Sequence, residues 1–115
     1  FSRNGNIVRA TGWFADDRSA GAKTKYIILY DATTNREITR KVVTNGVDRP
    51  DVARVYPSVY GAKKSGFDVS FDASQNQVLA NALKNGHQLQ LIARYSDSQN
   101  GEGNYVQYWF GARQL

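Results

Sequence analysis

Only one imidazole is available to this chain for nucleophilic or general-base chemistry, that of His87. A Ser-His-Asp arrangement holds its histidine between a hydroxyl and a carboxylate, whereas His87 directly follows Asn85-Gly86, a dipeptide that marks a turn. The expected role is therefore a solvated histidine at the end of a strand. Asp16-Asp17, Asp68 with Asp72, and Asp97 with Glu102 are the carboxylate pairs on offer for glycoside hydrolysis. That reaction also needs a cleft and one carboxyl with a raised pKa, for which a domain of 115 residues has little room. No catalytic residue is assigned, and the chain is expected not to be an enzyme.

Metal and cofactor chemistry fares no better. Cysteine is absent, which removes thiol catalysis, disulfides and cysteine-ligated zinc. The segment Asp97-Ser98-Gln99-Asn100-Gly101-Glu102 has calcium-type oxygen atoms without the spacing of an EF-hand loop, and an ordinary flexible loop is expected. Gly101-Glu102-Gly103 lacks the Lys-Ser/Thr ending of a phosphate loop. A lysine-to-asparagine cross-link of the kind found in some surface sandwiches would have to join Lys23 or Lys25 to Asn104. No metal and no cofactor is expected.

Aromatic residues make the stronger case, for binding. They form 12% of the chain, with seven Tyr, five Phe and two Trp, and carbohydrate recognition stacks sugar rings on such faces beside a few fixed polar groups. The candidate ligand-binding residues are Trp13, Tyr60, Tyr105, Tyr108 and Trp109. Strand alternation over Tyr105 to Phe110 puts Tyr105, Gln107 and Trp109 on one face and Val106, Tyr108 and Phe110 on the other. Both faces carry large rings, so one of them is a candidate for partial exposure. Fifteen Lys and Arg against ten Asp and Glu give a net charge of +5, which suits wall teichoic acids, acidic polysaccharide, lipid headgroups or nucleic acid as well as it suits a plain solvated basic surface. The charges are scattered, dense only at Arg36, Arg40 and Lys41 and at Lys63-Lys64; no basic stripe points to nucleic acid, and no apolar run has the length of a membrane span.

These residues need a scaffold, and the hydrophobic periodicity supplies one. Asn6 to Phe14 reads as a first strand, Lys25 to Ala32 as a central strand covered on both faces, and Glu37 to Thr44 as its hairpin partner across a turn at Asp31 to Arg36. Pro50 fits the first position of a short helical turn that crosses between sheets. Phe67 to Asp72 alternates Phe67, Val69 and Phe71 against Asp68, Ser70 and Asp72, as a half-exposed strand does. Ser74 to Leu83 suits either a short helix opened by a Ser74–Gln77 capping box or an irregular loop, the helix being favoured. His87 to Tyr95 and Asn104 to Gly111 close the chain as two further strands. Six or seven strands with one or two short helical turns and no βα alternation define an all-β, antiparallel, immunoglobulin-like sandwich, although a jelly-roll order has nearly the same strand pattern. The whole chain, 1–115, is expected to be one such module, excised from a larger protein; it contains no Met and opens on Phe1.

The run Gly12-Trp13, then Arg49-Pro50-Asp51-Val52-Ala53, then Ser65-Gly66-Phe67 and finally Arg94-Tyr95-Ser96 resembles an immunoglobulin-like accessory module of surface and cell-wall proteins of Gram-positive, lactic-acid-type bacteria. The resemblance implies a place on the cell surface or in the wall. It also implies partners among wall polysaccharide, peptidoglycan or teichoic acid and among neighbouring domains, with no catalytic residues. A structural spacer or adhesin stalk is the alternative. Read physically, the motifs are structural: Gly12 and Gly66 permit close backbone geometry beside Trp13 and Phe67, and Arg49 is placed to pair bidentately with Asp51.

Overall fold

A computed structural model of the chain describes residues 1–16, 24–43, 46–59 and 62–115. The order of elements is β1 (Ser2–Asn4), β2 (Ile7–Trp13), β3 (Thr24–Asp31), β4 (Arg36–Val42), α1 (Pro50–Val55), β5 (Gly66–Asp72), α2 (Gln77–Lys84), β6 (Gln88–Ser96), β7 (Tyr105–Trp109) and β8 (Arg113–Gln114), with 3-10 turns at Ala62–Lys64 and Ala73–Gln75. One sheet runs β1-β2-β5 and the other β4-β3-β6-β7, with β8 also pairing with β6. All pairings are antiparallel. This is an all-β sandwich. Its two strand orders correspond to the A-B-E and C′-C-F-G sheets of immunoglobulin-like folds, a topology that the strand pattern alone left open.

Period-2 patterning decides which side chains meet between the sheets. Val8 and Ala10 of β2 and Phe67 and Phe71 of β5 face Ile27 and Leu29 of β3 and Leu89, Leu91 and Ala93 of β6, all of them buried in one core. Helix α2 closes one side of that core with Leu79, Ala82 and Leu83. Gly12 stands opposite Phe67 and Trp13 opposite Gly66 in the β2–β5 register. A Cβ on Gly12 would lie 3.0 Å from the Phe67 ring, a tight fit, and one on Gly66 would lie 2.8 Å from the Val47 carbonyl oxygen, so position 66 needs the smallest residue. Beside them, Arg49 donates two parallel hydrogen bonds to Asp51, of 3.0 and 2.8 Å, at the start of α1. Pro50 occupies the helix's first turn, where its missing N–H costs nothing.

Four details depart from the sequence reading. Eight strands are present among the described residues, because β1 and β8 are two or three residues long and carry no periodicity of their own. The two short helices are accompanied by two 3-10 turns that the sequence reading did not place. The cap of α2 is Asn76, whose side chain accepts from the Leu79 amide, not Ser74. The amide and hydroxyl of Ser74 both donate to Asp72, at 2.9 and 2.7 Å, so the segment opens as a separate 3-10 turn and the α-helix starts later.

Candidate functional site

The β4-β3-β6-β7 sheet has a second face, directed away from the core. Register sets its rows: Ile28 beside Arg40 and Ile92, Tyr26 beside Arg94, and Tyr30 beside Gln90. On β7 the same face holds Trp109 beside Ile92, Gln107 beside Arg94 and Tyr105 beside Ser96. Ile28 and Ile92 are buried at the floor of this face together with Tyr26. Above them the rings are wet: Trp109 and Tyr105 each keep 44% of their surface exposed. Trp109 stands edge-on to Tyr30, with ring centroids 5.1 Å apart at 83°. The Arg94 guanidinium lies 3.9 Å from the Tyr105 ring centroid, a cation–π contact at close range.

Polar side chains on this face are oriented by what they bond. Arg94 Nε donates to Gln107 Oε1 at 3.0 Å. A guanidinium can only donate, so the amide oxygen of Gln107 must face Arg94 and its NH2 group is left pointing elsewhere. Gln90 Nε2 donates to the Phe110 carbonyl at 2.6 Å, which leaves the Gln90 amide oxygen as an acceptor on the same principle.

At the Tyr26 end of the face, the loop from Asp97 to Asn104 folds back onto the sheet. The Tyr26 hydroxyl donates to the Gln99 carbonyl, Arg40 Nη1 to the Asn100 carbonyl at 2.9 Å and Arg94 Nη1 to the Gly101 carbonyl at 3.1 Å. Glu102 bridges the two arginines, 2.9 Å from Arg40 and 3.6 Å from Arg94, while Arg40 also binds Glu37 at 2.5 Å. These carboxylates, Glu37 foremost, hold the Arg40 guanidinium firmly in its charged form against its partial burial. Gly101 is buried at φ +81°, where a Cβ would come within 2.8 Å of both Arg40 Nη1 and the Tyr26 ring. The flexible loop expected from its composition is instead a tethered cover, fixed by contacts with residues some 60 to 70 positions earlier.

The remaining candidates lie elsewhere. Trp13 and Tyr108 line a separate cleft of about 570 Å³ with Gly12, Phe14, Asp16 and Phe110, at the end of β2 and on the core-side face of β7. Tyr108 packs against Phe14 and Phe110, at centroid separations of 6.3 and 4.8 Å, and Trp13 leans on Tyr56 at 6.0 Å. The five sequence-picked rings thus divide into Tyr105 and Trp109 on the outward sheet face and Trp13 and Tyr108 at the cleft; Tyr60 lies outside the described residues. The alternation over β7 pointed to this division. The residues it did not reveal are Tyr30, Gln90 and Arg94, although the period-2 positions 26, 28, 30 and 90, 92, 94 carried the signal.

Residues with catalytic or ligating chemistry are engaged in holding the fold. His87 is not solvated at a strand end: its Nδ1 lies 2.7 Å from Asp31 Oδ2, and only 24% of its side chain is exposed. Asp31 also accepts the amides of Thr33 and Thr34 at 2.9 and 3.1 Å, tying the β3–β4 turn to the entry of β6. Burial acts to raise the Asp31 pKa, but the bonds from His87 and Thr34 outweigh it and hold the carboxyl below its ordinary value. Asp68 is paired bidentately with Arg9, Asp72 with Ser74, and Asp97 with the backbone and side chain of Asn104; Asp17 lies outside the described residues. Lys25 donates to the Ser65 carbonyl at 2.8 Å and Asn104 to Asp97, so the structure gives the two residues of the considered cross-link different partners; Lys23 is outside the described residues. Among the described residues, no group of three or more His, Asp or Glu side chains is placed to hold a metal ion, and no helix is long and apolar enough to cross a membrane. No family model, curated protein or solved structure matches the chain.

Proposed function

We propose that this chain is a non-catalytic accessory module of a Gram-positive cell-surface or cell-wall protein, and that it binds glycan on the outward face of the β4-β3-β6-β7 sheet and so holds its parent protein at the wall. The observation that carries the proposal is Trp109: a ring 44% exposed on a regular strand, braced edge-on by Tyr30 and flanked by the oriented amides of Gln90 and Gln107. A large apolar ring held rigid in water is what sugar stacking requires, because little conformational entropy remains to be lost on binding. Exposed rings gathered on one regular sheet face favour this reading over a spacer that binds nothing small. Engagement of His87 and of the carboxylates in fold contacts supports the non-catalytic part of the proposal, and the motif resemblance supports the location.

The test is co-sedimentation of the chain with purified Gram-positive cell walls, comparing wild type, Trp109→Ala and Trp13→Ala, each checked by circular dichroism. Retention of the wild type and release of a folded Trp109→Ala is the expected result. Failure of the wild type to sediment would overturn the proposal, and release by Trp13→Ala alone would move the site to the cleft.

A further inference from the structure

The glycan-binding reading leaves the chemistry of the polymer open, and the net charge of +5 points towards a polyanion. The charge layout of the face points the other way. Among the described residues its ionic groups are Glu37, Arg40, Arg94 and Glu102, two of each sign, and they are joined to one another in one chain of contacts. Arg94 is further held by the Gly101 carbonyl, by Gln107 and by the Tyr105 ring. A phosphate or uronate arriving here would find each guanidinium already neutralised and would have to displace a carboxylate from it, an exchange with little net gain.

Other cations among the described residues lie off this face. Lys41 projects from the opposite side of β4, 5.5 Å from the Phe71 ring centroid, while Arg54 sits in the last turn of α1, Lys63 in the Ala62–Lys64 turn and Lys84 in the last turn of α2. Meanwhile the polar groups that the face leaves without a partner among the described residues are uncharged: the hydroxyls of Tyr30 and Tyr105, the NH2 of Gln107 and the amide oxygen of Gln90. Phenols and amides exchange hydrogen bonds with sugar hydroxyls without a charge to neutralise.

We infer that the ligand of this face is an uncharged polysaccharide, held by stacking on Trp109 and by neutral hydrogen bonds, and that teichoic acids and other polyanions are not its target. The inference rests on the glycan-binding reading, and one experiment separates the two. Wild type and Trp109→Ala are sedimented with native Gram-positive walls and with the same walls stripped of teichoic acid, from about 0.05 M to about 0.5 M salt, a range over which exposed charge attraction is largely screened. The expected result is retention that depends on Trp109, survives stripping, and changes by less than about twofold across that range. Retention that depends on Trp109 but is lost on stripping, or falls more than about tenfold with salt, would overturn the uncharged-ligand inference and leave the glycan face standing. Retention unaffected by Trp109→Ala, or no retention of the wild type, would overturn both.

Discussion

Replacing Lys25 by Met should stabilise the protein at neutral pH and abolish a rise in its stability at alkaline pH. Lys25 points into the space between the sheets with 6% of its surface exposed. Its ammonium donates to the Ser65 carbonyl and lies 5.1 and 5.9 Å from the ring centroids of Tyr95 and Phe67; no carboxylate pairs with it among the described residues. Burial pushes its pKa down from 10.5 to about 8. Between those values the unfolded chain binds more proton than the folded one, so stability must rise with pH across that window, and the full cost of burying the charge applies below it. At about 1.4 kcal/mol per pH unit, the difference amounts to about 3 kcal/mol. Methionine fills nearly the same volume, and the Ser65 carbonyl keeps its bond from the Phe14 amide at 3.0 Å, so the variant leaves no orphaned acceptor. The lost hydrogen bond and ring contacts offset about 1 to 2 kcal/mol of the gain. Urea unfolding followed by tryptophan fluorescence, from pH 7 to pH 10.5, reads the stability difference directly, since groups common to both proteins cancel. The wild type should gain about 3 kcal/mol on Lys25→Met over that range. Curves that stay parallel within about 0.5 kcal/mol would refute the claim that the ammonium is buried at a cost.

Three further outcomes follow from the contacts. Gly101→Ala should cost more than about 1 kcal/mol, because its φ of +81° and the 2.8 Å approach of Tyr26 and Arg40 leave no room for a Cβ; thermal melts would check this, and an unchanged midpoint would show that the loop is not seated on the sheet. Asp31→Ala should cost about 2 to 3 kcal/mol at neutral pH, through three lost bonds. Because the folded carboxyl titrates below its unfolded value, its contribution is present above about pH 4 and lost as the pH falls further, so the gap between wild type and variant should close in acid unfolding series. Arg49→Ala should cost less than Gly66→Ala, because the Arg49–Asp51 pair lies at the surface, whereas the new Cβ at position 66 would meet the Val47 carbonyl and Arg49 Cγ at 2.8 and 2.9 Å; equal effects would contradict the packing described for that corner.

Local pattern made much of the sandwich legible. The alternation of Phe67, Val69 and Phe71 against Asp68 and Ser70 set which face of β5 is buried, the unbroken Tyr26–Tyr30 run marked a strand covered on both sides, and Pro50 marked the start of α1. What stayed hidden depends on partners distant in sequence. β1 exists because Arg3 finds Val8 across a hairpin, and β8 because β6 has an open edge beyond β7. Asp72 took the Ser74 amide and shifted the helix start to Asn76, a competition between two good capping residues that propensity does not rank. Arg94 reads in sequence as a solvent-facing residue of an alternating strand, yet it is 8% exposed, because a polar loop closes over it. Gly101 looks like generic turn chemistry, and only the Tyr26 ring beneath it explains why that position is glycine. For the candidate site, alternation separated the two faces of β7, but the supporting residues on β3 and β6 became visible only through the strand register.

The most direct measurement is a two-dimensional NMR titration of the chain with a soluble digest of teichoic-acid-stripped cell wall, watching the two indole N–H signals. Trp109 and Trp13 stand on different surfaces, so each reports one site. A glycan face on the β4-β3-β6-β7 sheet predicts that the Trp109 indole and the Gln107 side-chain amide shift together with rising ligand while the Trp13 indole stays in place. Movement of Trp13 alone, or of neither indole, would contradict it.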